Sequence, residues 1–181
     1  AAASLSRFTP ENSASDSIAA SFVASAPSKA CSFDRTDAPT VATIVEKIDE
    51  KPHVLLSGWR RQYIISRLEA AGITYSYFEM ADFKTLNELY NCLDLYLVTS
   101  RQEGGPQAIL ECASNMTPIL STDVGFASKV LSGDSIISDA QKFIDKINSS
   151  DFDYTLQNHE ALQAYSMQNS MPKYINVFKG L

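Results

Sequence analysis

Glycine, proline and cysteine are all scarce in this chain, at 7, 7 and 3 of 181 residues. The first two shortages exclude collagen-like and low-complexity chains, which need one or both in bulk. The cysteines, Cys31, Cys92 and Cys112, are far apart, odd in number and in no C-x-x-C pair, so neither a disulfide framework nor a zinc site is indicated. A reducing, cytoplasmic setting is expected. No apolar run approaches the roughly 20 residues of a membrane span, and the Ala-rich start lacks the charged and apolar regions of a secretory signal. Basic residues are also few, 15 against 21 acidic for a formal charge of -6, and Arg60-Arg61 is the only adjacent basic pair. A nucleic acid is therefore not an expected partner. A single phosphorylated metabolite stays open, because it needs only a cation or two and some backbone N–H groups.

What is present is enough apolar sequence, 45% of the chain, to build one ordinary core. Residues 1–40 are rich in Ala, Ser, Asp, Thr and Pro and read mostly as loop, apart from an apolar patch at Ile18, Phe22 and Val23 that suits a short first strand. From Val41 the pattern sharpens. Val41, Ile44, Val45 and Ile48 recur at helical spacing, and Lys51-Pro52 closes that helix. A short apolar run from His53 to Gly58 reads as a strand. The helix after it carries Ile64, Ile65, Leu68 and Ala71 inward and stops at Gly72. Residues 73–78 alternate as a strand, and Leu86, Leu89, Tyr90 and Leu93 mark the next helix. Leu95-Tyr96-Leu97-Val98 is continuously apolar, as for a strand buried on both faces. Pro118-Ile119-Leu120, residues 126–131, Ser135-Ile136-Ile137 and the Phe143, Ile144, Ile147 stripe continue the alternation. Such repetition predicts an α/β fold, a Rossmann-like doubly wound parallel sheet with right-handed crossovers. The expected division is a connecting segment over residues 1–17, the ligand-binding domain over 18–150, and a helical tail over 151–181 that packs back on the domain.

In an open α/β sheet ligands bind beyond the carboxyl ends of the strands, where helix N-termini point outward. Ser57-Gly58, Glu79, residues 100–105 and residues 122–125 all fall on that edge. The segment Glu103-Gly104-Gly105-Pro106-Gln107-Ala108 stands out. Its two glycines free the backbone for close approach and for a turn with φ > 0, and Pro106 suits the first helical position. The helix it opens presents a partial positive charge suited to a diphosphate. Ile109, Cys112, Ala113 and Met116 form the expected buried stripe, whereas Glu111 lies about 200° around the helix from Ile109 and is not a core position.

Glu103 and Glu111, with seven residues between them, form EGGPQAILE and so match the E-x7-E signature of retaining GT-B glycosyltransferases, especially family 4. The bare spacing is a weak motif, and its context supplies the specificity. From Leu86 to Leu131 the order of helix, strand, donor loop, helix, strand and glycine-containing loop resembles that family, and residues 53–131 carry the likeness well. Residues 5–10, LSRFTP, look like the end of the family's interdomain connection. The resemblance implies the C-terminal, donor-binding half of a two-domain enzyme, with an acceptor-binding N-terminal domain absent from this chain. It implies retention of anomeric configuration, a nucleoside-diphosphate sugar as donor substrate, and neither cofactor nor obligatory metal. Glu103 would be the catalytic residue that fixes the donor sugar. Gly58, Arg60, Gly104, Gly105, Pro106, Gln107, Ala108 and Glu111 would bind the donor, Glu111 at the ribose hydroxyls.

One departure is plain. The family places a Lys-Gly pair before its first helix to hold the diphosphate, and residues 31–39 contain none. Lys29, Arg35, Arg60 and Arg61 are the possible substitutes. This leaves two alternatives open, a sugar-nucleotide-binding module without catalysis and a GT-B-like sugar-nucleotide epimerase. Asp151-Phe152-Asp153 matches the metal-binding D-x-D pattern, but it follows a helix in a Ser/Asp-rich turn and reads as an Asx turn. His53 and His159 lack a partner carboxylate or serine at a recognisable spacing and read as structural. Cys112 reads as an inert buried thiol.

Overall fold

The computed structural model describes residues 21–24 and 37–180. The connecting segment at 1–17 and Ile18, Lys29, Cys31 and Arg35 lie outside the described residues. Five parallel strands form one sheet: β1 (Ser21–Ala24), β2 (His53–Ser57), β3 (Tyr75–Phe78), β4 (Tyr96–Val98) and β5 (Ile119–Ser121), in the order β3-β2-β1-β4-β5. Register is fixed by pairs such as Val54 with Tyr75, Phe22 with Val54 and Leu97 with Leu120. Each crossover carries helix: α1 (Asp37–Lys47), α2 (Gln62–Ala70), α3 (Phe83–Cys92) and α4 (Gln107–Asn115) between strands, then α5 (Ala127–Val130), α6 (Ala140–Asn148), α7 (Thr155–Gln163) and α8 (Met167–Lys179). The order reverses between β1 and β4, and that switch point is where such sheets open a ligand crevice.

Side-chain alternation along the strands separates the core into two layers. Val54 and Leu56 of β2, with Leu95 and Leu97 around β4, face the Val41, Ile44, Ile64, Leu68 and Phe143 side built by α1, α2 and α6. Tyr96, Val98 and Ile119 face the other way, onto Ala108, Ile109, Cys112, Ala127 and Val130 from α4 and α5. Both strand faces of β4 are fully buried, which explains its unbroken apolar run. Glu46 and Arg67 tie α1 to α2 with two parallel bonds of 2.8 and 2.6 Å. Asp82 caps α3 by accepting from the Thr85 N–H at 2.7 Å, and Asp139 caps α6 by accepting from the Lys142 N–H at 3.0 Å.

The departures from periodicity sit where elements end. Ala71 is the C-cap of α2 and exposed, because Gly72 at φ +65 turns the chain away there. Met116 leaves the buried stripe of α4 for the same reason: it adopts φ +55 at the helix end and is 46% exposed. Ser135-Ile136-Ile137 is not a sixth strand among the described residues. A 3-10 turn at Gly133–Ser135 runs into it and Asp139 already caps α6, leaving room for a single bridge between Ser121 and Ile136. The tail forms two helices over 155–179. α7 packs on α4 and α5, with buried Asn158 accepting from the Ser132 N–H at 2.7 Å, while α8 buries none of its residues. No helix among the described residues is long and apolar enough to cross a membrane.

Candidate functional site

The loop after β4 is held from three directions. The Ser100 hydroxyl donates to the Glu103 carboxylate, and the Thr122 hydroxyl donates to the Ser100 carbonyl, which joins this loop to the one after β5. Backbone contact completes the joint. A Cβ on Gly125 would stand 2.8 Å from the Gly105 Cα, and one on Gly105 would stand 2.4 Å from the Phe126 ring. Gly104, by contrast, has nothing within 4 Å of where its Cβ would be. The expected positive φ at the Gly104-Gly105 turn is not there. Among the described glycines it occurs at Gly58, Gly72, Gly125 and Gly180. Gly105 is needed for lack of space, and the left-handed backbone lies across the joint at Gly125, with φ +58.

Pro106, expected at the first helical position, is instead the N-cap of α4, with φ -66 and ψ 114, one position before the first helical residue, Gln107. No side chain caps this helix end, so its first N–H groups are left for an anion. Glu111 is half-buried one turn further on, and its carboxylate accepts from the Tyr90 hydroxyl at 2.6 Å. The Tyr90 ring lies tilted on Tyr96, with centroids 5.8 Å apart. Burial, then the neighbouring Tyr96 and the bond to Glu111, push the Tyr90 hydroxyl well above its ordinary pKa, so it stays a proton donor. Periodicity placed Tyr90 only as a core residue of α3. The missed signal was chemical: a buried tyrosine hydroxyl requires a partner, and the free acid was Glu111.

These groups meet in a cleft of about 410 Å3 lined by Gly58, Glu103, Gly105, Pro106, Gln107, Ala108 and Glu111 together with Arg61, Phe83, Tyr90 and neighbouring residues. Gly104 and Arg60 are not on its wall. Arg60 takes a left-handed φ of +62 and is exposed, and that twist brings Arg61 to the cleft instead. The Arg61 guanidinium folds back on the Ser57 carbonyl with bonds of 2.8 and 2.6 Å. Gly58, at φ +93, accepts from the Tyr77 hydroxyl at 3.0 Å and leaves Arg61 little room, since an added Cβ would meet its Nη2 at 3.0 Å. The cleft thus combines two carboxylates, one guanidinium and an uncapped helix N-terminus, a set able to hold hydroxyls and a polyanion at once.

The remaining chemical residues have structural partners. Asp151 pairs with Lys146 at 2.9 Å and accepts from the Tyr154 hydroxyl at 2.7 Å, while Asp153 accepts from the Thr155 hydroxyl at 2.8 Å at the start of α7. His53 bridges the Thr74 and Ser76 hydroxyls at 2.9 Å each, and His159 lies 3.0 Å from the Ala113 carbonyl. Cys112 is fully buried, and burial raises its thiol well above the ordinary value. No group of three or more candidate metal ligands occurs among the described residues.

The architecture has counterparts in known proteins. The model of the family glycosyl transferases group 1 matches residues 29–150. No curated protein sequence matches the chain. Among solved structures, sucrose-phosphate synthase from Thermosynechococcus elongatus superposes with a TM-score of 0.70 at 16% identity, over 91% of this chain and 47% of that one. The lipopolysaccharide outer core galactosyltransferase WaaB, in its apo form, gives 0.69 at 15% identity over 90% of this chain and 50% of its own. The pneumococcal O-GlcNAc transferase GtfA, solved with UDP and GlcNAc, gives 0.64 at 14% identity over 91% and 36%. The chain therefore spans half or less of the length of these three structures. The fold is a Rossmann-like domain of the kind that makes the C-terminal half of a GT-B protein, and the chain belongs to the glycosyl transferases group 1 family.

Proposed function

We propose that this chain binds the nucleoside-diphosphate sugar for a retaining GT-B glycosyltransferase, with the acceptor domain supplied by sequence outside these 181 residues. Residues 18–150 form the binding unit and 151–181 a helical tail. The reading rests on one observation: Glu103 and Glu111 line a single cleft together with the uncapped N-terminus of α4. In this reading Glu111, oriented by Tyr90, accepts from the ribose hydroxyls, and Glu103, oriented by Ser100, accepts from the hydroxyls of the donor sugar. Departure of the diphosphate is the difficult step. The α4 N–H groups and Arg61 are aimed where that charge develops, so the transfer needs no bound metal. Arg61 also takes the place of the Lys-Gly cation that residues 31–39 lack. Alone, the chain should transfer negligibly, because half of the interdomain cleft is missing.

Calorimetric titration with UDP, UDP-glucose and GDP-mannose tests the binding step. One of them should bind, and Glu111→Ala should weaken it by about 1.5–3 kcal/mol, the loss of a charge-assisted pair. Equal affinity for parent and variant would return Glu111 to an ordinary solvated helix residue. A second reading, a binding module without catalysis, is favoured by the missing Lys-Gly. Donor binding with no turnover in the natural polypeptide would select it.

A further inference from the structure

The helix α8 is a well-bounded element that contributes nothing to either core layer. The Ser166 hydroxyl caps its start by accepting from the Asn169 N–H at 3.3 Å, and Gly180 ends it at φ +72. None of its residues is buried, and its large apolar side chains stand in the open, Phe178 to 88%. At about 100° per residue, Met167, Met171, Tyr174, Ile175, Val177 and Phe178 gather into one sector about 160° wide, with only Ser170 among them. Gln168, Asn169 and Asn176 fall on the opposite side. Lys179 and Lys173 stand about 40° beyond the two edges of the apolar sector, so a cation flanks it on each side. Charge also sets this segment apart from the rest of the chain. Of the 21 acidic residues none follows Glu160, whereas Lys173 and Lys179 do, in a chain of formal charge -6.

We propose that α8 lies on the surface of an anionic lipid bilayer and holds the domain there. The apolar sector sinks among the acyl chains, and the lysine stems reach outward along both of its edges to the headgroup phosphates. A protein partner would need an acid opposite each lysine and a groove shaped to six long side chains. A fluid anionic surface meets both requirements without a fitted groove. The 13 residues of α8, at about 1.5 Å each, span about 20 Å, short of the roughly 30 Å of a hydrocarbon core, so the helix lies in the interface and does not cross it. The inference stands apart from the donor-site reading, since no residue of α8 lines the cleft.

Co-sedimentation of the 181-residue chain with vesicles of phosphatidylcholine, and with vesicles of equal parts phosphatidylcholine and phosphatidylglycerol, tests it. The mixed vesicles should carry the chain down, the pure phosphatidylcholine vesicles much less, and added salt should weaken the binding. Lys173→Gln combined with Lys179→Gln should weaken it roughly 30-fold, and Phe178→Gln roughly tenfold or more. Both variants should keep the parent circular dichroism and melting temperature, because all three positions are exposed. Phe178→Trp should shift its fluorescence to the blue on the mixed vesicles, and the parent, whose single tryptophan is Trp59, should not. The proposal is overturned if the mixed vesicles bind no chain, if either variant binds like the parent, or if sedimentation equilibrium shows this face closed by a second copy. It is equally overturned if the chain binds vesicles and the two-domain polypeptide proposed above does not, since the other domain would then cover α8.

Discussion

Three glycines offer a graded test of how the two loops are joined. An alanine methyl at Gly125 would press on the Gly105 Cα at 2.8 Å, one at Gly105 on the Phe126 ring at 2.4 Å, and one at Gly104 on nothing within 4 Å. Gly125 also sits at φ +58, where a residue with a Cβ loses about 1–2 kcal/mol. Its clash is with backbone, which no rotamer relieves, so overpacking adds about 1–3 kcal/mol. Gly125→Ala should therefore cost about 2–5 kcal/mol in all. Gly105→Ala meets a ring that can swing, but Phe126 packs against the α4 and α5 core, so about 1–3 kcal/mol is expected. Gly104→Ala should stay within about 0.5 kcal/mol of the parent. At roughly 2–4 °C per kcal/mol for a chain of this size, Gly125→Ala should melt roughly 4–20 °C lower. Urea and thermal unfolding give the order directly. If Gly125→Ala melted with the parent, or Gly104→Ala proved the most damaging, the backbone joint between the loops would not be as described.

The remaining predictions concern the carboxylates. In the two-domain polypeptide proposed above, Glu103→Gln should keep stability within about 0.5 kcal/mol while lowering turnover at least about tenfold; wild-type turnover with saturating substrates would remove Glu103 from catalysis. Tyr90→Phe deletes only the donor to Glu111, so nucleotide affinity in calorimetry should fall by about 0.5–1.5 kcal/mol, and an unchanged value would show that Glu111 is oriented by something else. Backbone N–H donors hold the cap carboxyls of Asp82 and Asp139 below their ordinary pKa. Their stabilisation is complete above the unfolded value near pH 4 and is lost as pH falls through the lower folded value. Replacing both with Asn, which caps without titrating, should flatten the fall in melting temperature between about pH 5 and 2.5, and parallel curves would refute this.

Where burial set the pattern, the sequence was enough. The Val41, Ile44, Val45, Ile48 stripe and the Leu95 to Val98 run each carried one period, and each is buried as that period demands. The acidic pair, Glu103 in the loop after β4 and Glu111 in the helix that follows, was legible because residue type, spacing and position after a buried strand agreed. What periodicity could not supply was geometry at element ends. Met116 fits the stripe by spacing and leaves it because the helix stops there in a left-handed turn. Arg60 and Arg61 are equivalent by composition, and only the φ of +62 at Arg60 decides that Arg61 reaches the cleft. The role of Gly105 depends on Phe126 and Gly125, both beyond the next strand, so no local rule points to it.

The spacing of the two glutamates follows from the same geometry. Glu103 is fixed before the helix begins, by Ser100 and by the packing of Gly105 against Gly125. Pro106 then starts α4 at a defined place, and Glu111 rises about 6 Å along the axis from Gln107. Each one-residue change turns a side chain by about 100°. An acid at position 112 would lie where Cys112 is fully buried, among Tyr90, Tyr96 and Ile119, and an unpaired carboxylate there would cost several kcal/mol, roughly 3 or more. An acid at position 110 would replace Leu110, which packs against the same core layer. Only position 111 in this turn both borders the cleft and meets the Tyr90 hydroxyl. Seven intervening residues are therefore the register at which this turn of the helix presents a carboxylate both to the cleft and to the Tyr90 hydroxyl.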